Sequence, residues 1–198
     1  MAESRTSTVV GSLKQGCRLP DYFESEEPLA VAFLSGQQLP VLFTEAPFGE
    51  APVVDAWLAQ ADAALERFQK LGAAARHEAT PLVLANYQRM LEEGGIEPLT
   101  VAAPDDIWRF VHPARVVIIR DGDEHTQDTT GDFFVQIECE CDWEVAHGLL
   151  LVFREGRMLT RVSEQDGHLT DSFAYDRPET EDLLMMQYYA TYGRPEKQ

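Results

Sequence analysis

The chain has 198 residues, 44% of them hydrophobic, enough for one buried core or for one domain with a helical subdomain, and too few to favour two independent domains. Its 34 Asp and Glu against 16 Lys and Arg leave a formal charge of −18, which repels phosphate backbones and anionic headgroups, so neither nucleic-acid nor membrane binding is expected. The start, Met1-Ala-Glu-Ser-Arg-Thr-Ser-Thr8, has no apolar signal core, no run reaches the ~18 apolar residues of a membrane span, and three cysteines make an odd set, so a cytoplasmic protein with reduced thiols is expected.

Taken in chain order, Leu29–Leu34 and Leu39–Phe43 are short apolar runs around Ser35-Gly36-Gln37-Gln38 and predict a β-hairpin. Val54, Trp57, Leu58, Ala61, Leu65, Phe68 and Leu71 then recur at three- and four-residue spacing, predicting a helix that stops at Gly72. Thr80-Pro81 has the chemistry of an N-cap and first turn, so a second helix is expected from there, burying Val83, Leu84, Tyr87, Met90 and Leu91 and ending at Gly94-Gly95. Two helices so joined are expected to pack antiparallel. Residues 1–103 thus form an N-terminal hairpin and helical segment.

Residues 104–198 form a β-rich segment that completes the same compact unit. Pro104–His112 predicts a short helix or turn, ended by Pro113, before a buried strand at Val116–Ile119. The polar stretch 121–132 predicts an exposed loop; its aspartates could hold a cation but lack the EF-hand ligand order. Strands follow at Phe133–Asp142, Gly148–Arg154 and Arg157–Ser163, the last two joined at Glu155-Gly156, with a further turn at Asp166-Gly167. A terminal helix opens near Pro178 and runs through Leu183, Leu184, Met186, Tyr188 and Tyr189. The fold class is α+β, an antiparallel sheet packed by helices.

The densest chemistry lies between Glu138 and Leu149. Period-two alternation puts Phe133, Val135, Ile137, Cys139 and Cys141 on one face of their strand, so both cysteines read as buried structural thiols. Gln136, Glu138, Glu140 and Asp142 share the other face. Their carboxylates repeat about every 6.8 Å, a like-charge ladder that requires neutralisation. Arg154, Arg161, Arg115 or Arg120 could supply it internally, or a basic protein could supply it from outside. With Glu144, these acids are the candidate partner-binding residues. Trp143, His147, Asp166, Gly167 and His168, with the two cysteines, complete the motif as structural members. Cys-x-Cys with two histidines falls short of zinc spacing, and no Gly-x-Ser-x-Gly, Walker or Rossmann signature is present, so no metal, cofactor or catalytic residue is assigned. His147 and His168, as general bases beside the carboxylates, define the alternative of a small metal-dependent or acid/base hydrolase.

Asp106-Ile-Trp108 with Val111, then Glu138-Cys-Glu-Cys-Asp-Trp-Glu144, His147-Gly-Leu149, Val152-Phe-Arg-Glu-Gly156 and Asp166-Gly-His-Leu-Thr170 together resemble a bacterial family of uncharacterised proteins, a domain of unknown function. The resemblance is strongest over 105–175. That family commonly carries a glutamate directly before His-Gly-Leu, where this chain has Ala146, which removes a carboxylate–histidine pair built on it. Related acidic α+β proteins occur among candidate immunity proteins of toxin systems. The resemblance therefore implies an immunity-type inhibitor whose partner is a basic protein such as a cognate toxin. A housekeeping scaffold is the remaining alternative.

Overall fold

The computed structural model describes residues 5–15, 22–44, 46, 51–94, 96–122 and 131–194. One eight-stranded sheet organises them, in the order β1 (Arg5–Ser7), β2 (Gly11–Gln15), β3 (Phe23–Ser25), β6 (Val41–Phe43), β7 (Val111–Arg120), β8 (Phe133–Cys141), β9 (Leu149–Arg154) and β10 (Met158–Ser163). A separate two-stranded sheet joins β4 (Leu29–Val31) to β5 (Gln37–Leu39). All pairs are antiparallel except β6 with β7. That parallel pair crosses the expected 103/104 boundary, so both segments contribute to one sheet.

The N-terminal hairpin forms, but it is shorter than its apolar runs. Ala32–Leu34 makes a 3-10 turn, with Ser35 left-handed at φ 59. Pro40 follows β5, and the run continues as β6, which leaves the hairpin for the main sheet. Strands β1 to β3 carry only three to five residues each and have no sequence signal of their own. The turn between β1 and β2 is tied down by a carboxylate instead. Asp62, buried on the first helix, accepts from Ser7 Oγ (2.5 Å), Thr8 N (2.6 Å) and Thr8 Oγ1 (2.8 Å).

Helix α1 (Ala51–Phe68) buries the expected stripe from Val54 to Phe68 against β7 and β8, with Trp57 edge-on to Phe133 at 5.3 Å and Phe68 edge-on to Phe153 at 5.1 Å. Helix α2 (Ala73–Glu93) corrects the Thr80-Pro81 expectation, because it begins at Ala73 behind an N-cap at Gly72, with four residues between it and α1, and contains Pro81 in its interior. Thr80 is buried and serves tertiary structure. Its hydroxyl accepts from Trp108 Nε1 at 2.9 Å, and its proton lies between Asp105 Oδ1 (3.0 Å) and the Arg76 carbonyl (3.1 Å). Pro81 is exposed on the outer side of α2, where a lost backbone donor is least costly.

Pro113 does not end an element either. A 3-10 segment at Pro104–Phe110 runs directly into β7, and Pro113 lies inside that strand, where the register slips between Pro113 and Arg115. At that point β7 has a strand on one side only, since β6 pairs with Val116–Ile118, and such half-paired positions accept proline. The chain closes with α3 (Asp171–Ala174), capped by Thr170, a 3-10 turn at Glu179–Glu181, and α4 (Leu183–Tyr192), capped by Asp182. α4 runs through the expected residues, with Met185 and Tyr188 as its buried members and Leu183 81% exposed. Among the described residues no helix is long and apolar enough to cross a membrane. The cation candidates Asp123 and Asp128 lie outside the described residues.

The β9–β10 turn shows how closely helix and sheet approach. Glu155 and Gly156 both have positive φ (53 and 63), as a two-residue hairpin requires. A Cβ on Gly156 would lie 1.9 Å from the Ala64 carbonyl oxygen of α1, whereas one on Gly167, at φ 82, would meet nothing within 4 Å. Gly156→Ala is therefore expected to lose about 3 kcal/mol or more and Gly167→Ala only about 1. Equal shifts of the two variants in urea-denaturation midpoints would contradict this.

Candidate functional site

Strand β8 carries the site, and register with its neighbours sorts the side chains into rows. The first face holds Phe133, Val135, Ile137, Cys139 and Cys141, all in the main core under the helices. The second face begins with the row Ile119–Phe134–Arg154, passes to Val117–Gln136–Val152–Arg161, then to Arg115–Glu138–Leu150–Ser163, and ends at His112–Glu140. It thus grades from a small apolar cluster of Ile119, Phe134, Leu150, Val152 and Leu169 to solvated carboxylates.

The ladder is largely answered from within. Arg115 approaches Glu138 Oε2 with Nε and a terminal nitrogen, both at 2.6 Å. His112 Nε2 lies 2.7 Å from Asp142 Oδ1. Glu140 projects into solvent directly across from His112. Glu144 does other work: its Oε1 accepts from the backbone amides of Ala146 (2.9 Å) and His147 (3.0 Å), and lies 3.4 Å from His147 Nδ1. Arg161 and Arg154, expected as cross-strand partners of the acids, sit one and two rows further in and bind elsewhere. Arg120 donates to the Gly131 carbonyl at 3.1 Å.

The turn after β8 is fixed at several points. Trp143 is 1% exposed, donates Nε1–H to Asn86 Oδ1 at 2.9 Å and meets Tyr87 edge-on at 5.9 Å. Gly148, at φ 65, returns the chain so tightly that a Cβ would sit 2.3 Å from the Cys139 carbonyl oxygen, which already accepts from Gln165 Nε2 at 2.9 Å. Val145 stands at the tip, 90% exposed.

The Asp166–Thr170 segment wraps one buried arginine. Arg161 is 0% exposed; it donates to Asp166 Oδ1 (2.6 Å) and Oδ2 (2.7 Å) as a fork, to the His168 carbonyl (2.8 Å), and through Nε to Asp171 Oδ1 (2.9 Å). Burial opposes the guanidinium charge, but the two carboxylates overcome this and raise its pKa. Burial also pushes the Asp166 carboxyl up, yet Arg161 and the His168 amide outweigh it and hold it at about 2. Asp171 goes the other way, raised chiefly by burial. His168 lies on Asp166, Nδ1 to Oδ2 at 3.1 Å, and edge-on to Phe173 at 5.3 Å. The two histidines therefore face separate acids, His147 with Glu144 and His168 with Asp166. Among the described residues no group of three or more His, Cys, Asp or Glu side chains could hold a metal ion.

The sequence matches the family described as DUF6985, a domain of unknown function, over residues 9–169. The chain belongs to that family. No curated protein and no solved structure matches it. Within this DUF6985 chain the motif residues from Glu138 to Leu169 fall inside the matched span, while Asp171, α3 and α4 lie beyond it.

Sequence reasoning missed the partners that give these motifs their jobs. Asn86 under Trp143, Asp171 on Arg161, and Asp132 and Tyr189 on Arg154 are distant in sequence from the groups they serve. Arg154 Nε donates to Asp132 Oδ2 at 2.7 Å and a terminal nitrogen to Tyr189 Oη at 2.9 Å, while the rings of Tyr188 and Tyr189 flank the guanidinium at 5.2 and 5.1 Å. An arginine that ends an otherwise apolar strand, as in Leu149–Arg154, is the one signal that could have pointed to a buried ion pair.

Both strand cysteines are free and buried, and burial raises their thiol pKa values, that of Cys141 to about 11. Native protein carrying Cys17→Ser is expected to resist thiol labelling at pH 8 and to react fully in denaturant. Fast labelling of either thiol in the folded state would refute the assignment.

Asp166 makes a second expectation, with a definite sign. Its folded value is depressed from 3.8 to about 2, so its contribution is present above pH 5 and is lost as pH falls towards 2. Asp171, being raised, has the opposite slope. Asp166→Asn is expected to cost about 3 kcal/mol at pH 7 by leaving Arg161 half-paired. It should also remove a pH-dependent loss on the order of 1–2 kcal/mol between pH 5 and 2, allowing for solvent screening. Parallel stability–pH curves for variant and wild type would show that the pair is not the source.

Proposed function

We propose that this chain is an acidic binding protein, an immunity-type inhibitor that masks a basic bacterial effector in the cytoplasm, with Glu140 and Asp142 at the open end of the ladder as its contact surface. The observation that carries the reading is where the cations go. Arg154 and Arg161 are buried on carboxylates, and Arg67, Arg89, Arg115 and Arg194 are each paired with a glutamate. The −18 already counts every Lys and Arg, so these internal pairs leave the surplus of carboxylates unmatched, and that surplus accelerates encounter with a basic partner.

The motif acids with several structural bonds, Glu138, Glu144 and Asp166, suit a scaffold better than proton transfer. Glu140 and Asp142 retain solvent access, and the fixed turn beside them offers Val145 as an apolar contact at little ordering cost. A partner of matching chemistry presents lysines and arginines around a small apolar recess.

Co-expression with the product of the adjacent reading frame, scored for protection from its toxicity, tests the role. Calorimetric titration of that product with wild type and with Glu140→Lys/Asp142→Lys tests the surface. Close interfacial charge pairs couple by about 1.5–7 kcal/mol, so the reversed variant should bind at least tenfold more weakly, with a smaller salt dependence. A harmless neighbour that does not bind defeats the inhibitor reading. Undiminished binding by the reversed variant at low salt defeats the surface.

A further inference from the structure

The last strand of the sheet, β10, lies between two helices on opposite faces. α2 packs against it on the Phe153 side, and α4, which reaches Arg154 through Tyr189, packs against it on the other. Between the helices opens a pocket of about 290 Å³, walled by Ala79 and Leu82 of α2, Phe153, Leu159 of β10, and Leu184 and Tyr192 of α4. This volume suits a fragment-sized ligand, just below the usual range of small-molecule sites.

One cation stands at this pocket without an anion. Arg157 lies over the Tyr192 ring at 5.2 Å and, among the described residues, has no carboxylate within ion-pair distance. The carboxylates that share an adjoining cavity with it, Asp132 and Glu155, are already engaged: Asp132 by Arg154, Glu155 by Arg67 and by the Phe133 amide at 2.8 Å. Glu78 on the α2 wall disfavours an anion at that position, so a negative group is directed to the Arg157 end. A cavity of mixed lining, with leucine and aromatic walls beside Gln187 and Thr191 and one guanidinium that has no anion, has the chemistry of a carboxylate site, since a planar carboxylate fits the guanidinium fork while an alkyl or aryl body displaces water from the apolar walls.

We propose that this pocket binds a small apolar carboxylate, with its hydrocarbon part between α2 and α4 and its carboxylate on Arg157. The site is separate from the acidic end of β8 and independent of the inhibitor reading. Amide-resolved NMR titration of the full chain with sodium octanoate, and in parallel with octan-1-ol, tests it. Octanoate should give saturable shifts centred on Leu82, Leu159 and Tyr192, with a Kd on the order of 1 mM or tighter for so small a ligand. Arg157→Gln, at an exposed position, should weaken octanoate by about tenfold while leaving octanol binding unchanged. An absence of saturable shifts at those amides overturns the site. Equal octanoate binding by wild type and Arg157→Gln overturns the carboxylate assignment.

Discussion

The second face of the sheet depends on burying two guanidinium groups, and Arg161 is the more demanding of them. A charge fully removed from water costs several kcal/mol unless its donors are matched. Four of its N–H donors are taken by Asp166, Asp171 and the His168 carbonyl. Matching them requires the chain after β10 to fold back over the strand. That return places Leu169 in the small apolar cluster and brings Thr170 to cap α3. Arg154 imposes a parallel requirement one row away, met by Asp132 before β8 and by Tyr189 of α4. An apolar face would tolerate several placements of a terminal helix, whereas a buried fork of donors accepts very few.

This arrangement separates the two faces energetically. Beneath α1 and α2 the core is hydrocarbon and aromatic, with Phe33, Phe68 and Phe153 in edge contacts, and its stability follows from area removed from water. The C-terminal face is held by paired charges, whose strength depends on pH. Falling pH meets Asp171, which burial raises, before Asp166, which Arg161 holds at about 2, so the Asp166–Arg161 pair that anchors the return of the chain outlasts its neighbour.

How much of this was legible in the sequence follows the range of each interaction. The alternation in β8 and the Glu155-Gly156 turn are local, and both could be read from spacing alone. Thr80-Pro81 misleads because its cap chemistry is also local, while Trp108 and Asp105 compete for the hydroxyl from 28 and 25 residues away. Strands of three residues, such as β1 and β3, carry too few side chains for a period to emerge. For the ladder, the face of each acid was legible but its partner was not. Register decides that Arg115 meets Glu138, and that Arg154 and Arg161 fall opposite Phe134 and Val152 instead. No composition or periodicity encodes register when several strands have similar lengths.

The same register explains why the motif between Glu138 and Gly148 is half structure and half surface. Each step of two residues along the second face moves from Phe134 to Gln136, Glu138 and Glu140, so solvation rises along the strand and ion pairs weaken accordingly. Beyond Cys141 the chain would fray into water, but Trp143 turns inward to Asn86, and Gly148 presses against the Cys139 carbonyl. The buried tryptophan and the close glycine thus hold Asp142 to His147 in one shape without help from any ligand. An acidic, exposed turn held in this way has little ordering entropy left to lose, which is what the proposed binding role asks of its contact surface, with charge and the exposed side chain of Val145 as the features it presents.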